Sequence, residues 1–187
     1  YRIFYLHVPA AWVAYLALGM SLVSSILYLK TKSSKFDTFA EVTAILGVLY
    51  ATLTLILGSI WSNAEWGAYW NWDPRETTTL ILGISYAGYL GLRASIKNVE
   101  KRAVLPAIYN IFAFSTVPLS YISVIYWQSL HPQIVSGEGI DTTPDMITTL
   151  LLNLLASSVM FLFFLNLLYR IRRAERVLDE YEESTWR

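Results

Sequence analysis

Five stretches of the chain, at about 8–29, 39–61, 76–92, 104–127 and 146–169, are apolar for long enough to cross a hydrocarbon core, which takes about 20 helical residues at about 1.5 Å each. The third is the shortest. Prolines fall inside this pattern at Pro9, Pro106 and Pro118. The first suits a helix start, and the others are tolerable where neighbouring helices absorb the lost donor. No internal repeat, low-complexity segment or second domain interrupts the series, so the pattern predicts an all-α integral membrane protein with one transmembrane domain over 1–187. The final segment, 170–187, begins RIRRAERVLDEYEES and reads as a charged helical tail continuing the last span beyond the membrane surface.

Composition agrees with the periodicity. Of 187 residues 55% are hydrophobic and 15% charged, and the mean hydropathy is +0.44, values that suit a membrane rather than water. A formal net charge of zero makes no case for nucleic acid. The absence of cysteine excludes disulfides, thiolate metal sites and covalent haem attachment through C-x-x-C-H.

The distribution of charge sets the topology. Basic residues stay on the cytoplasmic side, and they collect in the first loop (Lys30, Lys32, Lys35), the third (Arg93, Lys97, Lys101, Arg102) and the tail (Arg170, Arg172, Arg173, Arg176). The other side has only Arg2 and Arg75, against Glu65, Asp73, Glu76, Glu138, Asp141 and Asp145. The N-terminal end, the loop at 61–75 and the loop at 128–145 are therefore expected outside. Five spans with an outside start leave room for a further helix ahead of Tyr1.

The 61–75 loop concentrates the candidate chemistry. WSNAEWGAYWNWDPRE places Trp61, Trp66, Tyr69, Trp70 and Trp72 within a dozen positions. Indoles gather at membrane interfaces for amphipathic reasons alone, yet a belt would spread over all helix ends, and a clustered aromatic surface invites a flat ligand. Asp73, Pro74 and Glu76 fit the N-cap, N1 and N3 positions of a capping box opening the third span. Arg75 opposes the positive end of that helix by roughly 0.3–1 kcal/mol, so it should face an anion. Two readings stay open: Arg75 and Arg2 hold the propionates of a haem, or Arg75 pairs with Glu65 or Asp73 and Arg2 with lipid phosphate. The only histidines, His7 and His131, fall at the outer ends of the first and fourth spans, where neutral imidazole is a good ligand for haem iron; each alone could equally be a hydrogen-bonded structural residue.

RIFYLHVPAAW, GSIWSNAEWGAYWNWDPRE and YWQSLHP, in this order, resemble stretches of the CcmC family, membrane proteins that handle haem in bacterial and archaeal cytochrome c maturation. The middle stretch is similar to the tryptophan-rich WWD signature of a superfamily whose other branches are CcmF and the CcsA-type cytochrome c synthases. Chain length and two histidines favour CcmC, since the other branches are larger and use more histidines; the WDPxE form at Trp72 to Glu76 is common in the synthase branch. The resemblance implies haem b as the bound group, His7 and His131 as axial ligands, and the signature carried by Trp61, Trp66, Trp70, Trp72 and Asp73. Tyr69 stands where a WW-rich version has tryptophan. The motif arginine becomes Arg75, and a second arginine implicated in haem binding becomes Arg2. The family usually has one span more than the five visible, so the first helix is expected to be missing.

The implied function is binding of haem at the outer surface and its delivery to the haem chaperone CcmE, with CcmA, CcmB and CcmD as partners of an ABC-type complex in the inner (cytoplasmic) membrane and the site facing the periplasm. The chain has no G-x-x-x-x-G-K-[ST] loop, so an ATP-driven step belongs elsewhere, and transfer is expected rather than catalysis. Three alternatives remain at this level: a CcsA-type synthase component, an electron-transfer cytochrome b, and a structural subunit with an interfacial aromatic belt.

Overall fold

A computed structural model describes residues 2–132, 135–136, 139–140 and 143–185. Six helices follow in order: α1 (Phe4–Thr31), α2 (Ser34–Trp66), α3 (Pro74–Ser95), α4 (Val99–Ala113), α5 (Thr116–Tyr126) and α6 (Pro144–Thr185). A two-residue antiparallel pair, β1 (Val135–Ser136) with β2 (Gly139–Ile140), lies between α5 and α6 and has no counterpart in the hydropathy pattern. Among the described residues the architecture is otherwise all-α.

Four units are long and apolar enough to cross a membrane: α1, α2, the broken pair over Lys101–Tyr126, and Pro144–Leu178 of α6. The expected third span is helical over the expected positions but falls short in apolarity. Its hydroxyls are turned inward on its own backbone, with Thr78 and Thr79 donating to Pro74 O and Arg75 O (2.6 and 2.7 Å) and Ser85 to Ile81 O (2.8 Å). At 22 residues α3 measures about 33 Å, and it joins the two ends of the bundle.

The fourth span breaks at Phe114–Ser115, four residues ahead of Pro118. Proline cannot donate to the carbonyl four residues back; Phe114 O instead takes the amide of Val117 at 2.9 Å, and the Ser115 and Thr116 hydroxyls occupy Phe112 O and Ala113 O (2.7 and 2.6 Å). Pro106 likewise frees Arg102 O, which accepts from Arg93 Nη1 at 3.3 Å. Pro9 departs from its expected position: α1 starts at Phe4, so Pro9 and His7 both lie inside the helix.

Small residues let α1 and α2 approach closely. Ala10, Ala14, Ala17, Ser21 and Ser24 recur every three or four positions on the buried face of α1. A Cβ added to Gly47 of α2 would collide with the side chain of Leu18. Val13, Leu18, Val42, Leu82, Tyr86 and Phe161 fill the centre, while α6 turns Leu152, Leu155, Val159 and Phe163 outward.

The helices alternate in direction, with α4 and α5 running the same way as the two halves of one span. One end of the bundle gathers the start of α1, the end of α2, the start of α3 and the end of α5. The opposite end holds an ion cluster: Arg93 of α3 pairs with Asp37 and Glu41 of α2 (2.7 and 3.1 Å), and Arg176 of α6 reaches Asp37 at 2.6 Å.

Candidate functional site

Thr54, Gly58 and Trp61 lie one above another on α2, at the four- and three-residue spacing of a single helix face. His7, in the second turn of α1, lies across that face. Its Nδ1 is 3.1 Å from Thr54 O, a contact that makes Nδ1 the donor and leaves the Nε2 lone pair available. Gly58 makes the approach possible, because a Cβ there would stand 2.9 Å from His7 Cε1. The ring is buried, at 8% exposure.

Trp61 forms the floor. Its ring centre is 5.8 Å from that of His7, 5.7 Å from His131 and 6.0 Å from Trp66. Its Nε1 is buried and has no hydrogen-bond partner among the described residues. The segment expected as loop from position 61 remains helical to Trp66, and Gly67, at φ 76°, ends α2 by donating to Asn63 O at 3.0 Å. The true loop, 67–73, is fastened to the last turns of α2. Ser59 Oγ donates to Tyr69 O (2.8 Å), Ser62 Oγ to Ala68 O (2.7 Å), and Asn71 Nδ2 to Ser62 Oγ (2.7 Å). Trp72 takes a left-handed backbone, φ 58°, a sparsely populated state for a bulky residue, and its ring meets Trp70 edge-on at 5.8 Å.

Asp73 caps α3 as expected, accepting from the Arg75 amide at 2.8 Å. The reciprocal half of the capping box is different: Glu76 Oε2 accepts from the Asn71 amide at 2.9 Å, two residues before the cap. Asp73 also accepts from Ser129 Oγ (2.8 Å) and the Leu130 amide (2.6 Å). Arg75 meets neither Glu65 nor Asp73 in an ion pair; its Nη1 donates to Ser120 O and Tyr121 O, both at 3.1 Å, and bridges α3 to α5.

His131 lies just past α5, and its ring centre is 6.2 Å from that of His7, with 59° between the planes. Burial, then the positive charges of Arg75 and of protonated His7, push its pKa down from 6.5 to about 4, against a smaller upward pull from Asp73. His131 is therefore neutral at physiological pH and has its lone pair available.

These residues line one cleft of about 190 Å³. It brings together His7, Trp61, Trp66, Trp70, Asp73, Arg75 and His131, and adds Trp12, Tyr15, Gly58, Tyr121 and Ile125, which the sequence reading did not single out. Three expected residues lie outside the lining: Tyr69 is 62% exposed, Trp72 is 74% exposed, and Arg2 lies exposed ahead of α1. Gly58 and Thr54 were findable only by continuing the helical period of α2 through the tryptophan segment. Among the described residues no group of three or more His, Cys, Asp or Glu could hold a bare metal ion. Two facing imidazoles suit a metal that arrives with an equatorial ligand set of its own.

A family model described as heme exporter protein C matches residues 1–187. A ccmC-like mitochondrial protein of cytochrome c biosynthesis from Marchantia polymorpha is 32% identical over 97% of this chain and 75% of its own length. Heme exporter protein C of Paracoccus denitrificans is 35% identical over 70% of this chain and 54% of its own. A cytochrome c biogenesis protein CcsA from Prochlorococcus marinus is 36% identical over 50% of this chain and 29% of its own. Against several of these relatives, the matched part spans about half of their length.

Proposed function

This chain belongs to the heme exporter protein C (CcmC) family, and from that premise we propose that it binds haem b between His7 and His131 and passes it to the haem chaperone CcmE during cytochrome c maturation. The carrying observation is the 6.2 Å separation of the two ring centres. Two imidazole nitrogens each about 2 Å from one metal ion put their ring centres roughly 6 Å apart. The 59° between planes is no obstacle, because each ring can turn about its own metal–nitrogen axis.

The surrounding residues suit the same group. Trp66 and Trp70 offer ring surface, and Arg75 on the cleft wall offers a cation for a propionate; Trp61, with its ring centre 5.8 and 5.7 Å from the two imidazoles, has to turn aside to admit the porphyrin edge. Arg2 is a second cation nearby in sequence, and Tyr69 and Trp72 are exposed where the acceptor would approach. The cleft of about 190 Å³ is smaller than the roughly 300–1,000 Å³ that encloses a drug-sized ligand, so much of the porphyrin stays outside it. Partial enclosure suits delivery better than permanent retention. We place the site on the periplasmic side of the inner membrane, since Lys30, Lys32, Lys97 and Lys101 lie toward the opposite end. CcmA, CcmB and CcmD are the proposed partners, with nucleotide hydrolysis outside this chain.

The low pKa of His131 has a consequence for binding. A ring held at about 4 meets no proton competition until well below the point at which an exposed histidine, near 6.5, is half protonated. Haem affinity should therefore be unchanged between about pH 7.5 and about pH 5.5 in a titration of the purified protein. A loss with its midpoint near 6.5 would contradict the buried, neutral ligand.

The CcsA relative favours one second reading, a synthase-like component. Haem-loaded protein mixed with CcmE should lose its haem to the chaperone, while a C-x-x-C-H peptide should remain unmodified. Thioether formation on the peptide would establish the synthase reading instead, and retention of haem in both mixtures would remove the transfer proposal.

A further inference from the structure

His7 and His131 are held by different means. His7 is part of α1 and rests on α2 through Thr54 O and the bare backbone of Gly58. His131 belongs to no helix, being five positions past the last residue of α5. The geometry points to Asp73 as the positioning residue that fixes His131, a role that rests on the bis-histidine reading above and that differs from contact with haem.

Asp73 is 6% exposed and uses both carboxylate oxygens. Oδ1 accepts from the Arg75 amide and from Ser129 Oγ, each at 2.8 Å, while Oδ2 accepts from the Leu130 amide at 2.6 Å. Ser129 Oγ in turn accepts from the His131 amide at 3.1 Å. A single buried carboxylate thus ties the start of α3 to the two residues ahead of His131. These are charge-assisted bonds, stronger than neutral ones, and they act on backbone that follows directly on the end of α5. A helix cap alone does not require this. Asparagine caps a helix about as well as aspartate, but its amide has one acceptor oxygen, and its NH2 turned toward the Leu130 N–H would set donor against donor.

That difference separates the positioning role from the capping role. Haem-loaded full-length chain in detergent is compared as wild type, Asp73→Asn, Ser129→Ala and His131→Ala, by ferric absorption spectrum, haem affinity, thermal unfolding and titration with free imidazole. His131→Ala should lose the six-coordinate low-spin spectrum. Asp73→Asn should shift toward it, with affinity about 10- to 100-fold weaker, the range seen for residues that orient a metal ligand; Ser129→Ala should shift less. Imidazole should restore the low-spin spectrum in all three, and Asp73→Asn should unfold near the wild-type temperature. A wild-type spectrum and affinity in Asp73→Asn, beside a shifted His131→Ala, would overturn the positioning role and leave the ligand reading intact. So would an Asp73→Asn protein that unfolds early and does not respond to imidazole, since that marks a cap only. An unshifted His131→Ala would remove the ligand reading, and the positioning role with it.

Discussion

Replacing His7 with alanine is expected to weaken haem binding by more than about 100-fold, beyond the roughly 10- to 100-fold range for residues that only support a metal ligand. The change removes the ligand itself, and nothing nearby can take its place: Gly58, opposite the ring, carries no side chain, and Thr54 offers a carbonyl already used by the helix and by His7. The loss is distinct from a packing defect, because His7 lies outside the central cluster of buried apolar side chains. Equilibrium titration with ferric haem checks this, with free imidazole added afterwards. Imidazole should recover a large part of the low-spin spectrum, since a cavity of the right size remains beside Thr54 O. Affinity within a factor of a few of wild type would exclude His7 as a ligand.

The second large effect is at the far end of the bundle. Arg93→Ala should destabilise the fold by about 3–5 kcal/mol, the cost of leaving a buried charge without its partner. Asp37 accepts both Arg93 Nη1 and Nη2, at 2.7 and 2.8 Å, and Glu41 meets the same guanidinium at 3.1 Å. Without Arg93 two carboxylates stand together on one face of α2, with Arg176 left to serve Asp37. Arg176 is partly exposed, so Arg176→Ala should cost no more than about 1 kcal/mol. Unfolding in denaturant measures both, and equal stabilities for the two variants would contradict the assigned hierarchy. The haem spectrum of protein that remains folded should be unchanged, because this cluster and the cleft lie at opposite ends.

Much of this arrangement was legible in the residues. Hydropathy located five helical stretches but read α4 and α5 as a single span, and the Lys and Arg distribution put His7, the tryptophan segment and His131 at one end. What hydropathy cannot do is assign a helix through polar residues whose partners are tertiary. Ser62, Asn63 and Glu65 read as loop, yet Ser62 is buried and bonded to Ala68 and Asn71, and the helix continues to Trp66. The same limit applies to Arg75. A cation in a first helical turn called for an anion by the logic of the dipole, but carbonyls of α5 meet it in the fold. Asp73 was correctly read as a cap, and its grip on Ser129 and Leu130 required the distance between positions 73 and 130 to be known. Arg93 was counted as a charge of one side, and Asp37 and Glu41 were not singled out; their pairing depends on the register of α2 against α3, which composition does not contain.

Sharing of one iron by His7 and His131 underlies the functional reading, and electron paramagnetic resonance of the ferric, haem-loaded chain tests it most directly. A low-spin signal with bis-imidazole character is predicted, and it should be lost in both His7→Ala and His131→Ala. A high-spin signal in the wild-type protein, or a low-spin signal that survives either substitution, would contradict it.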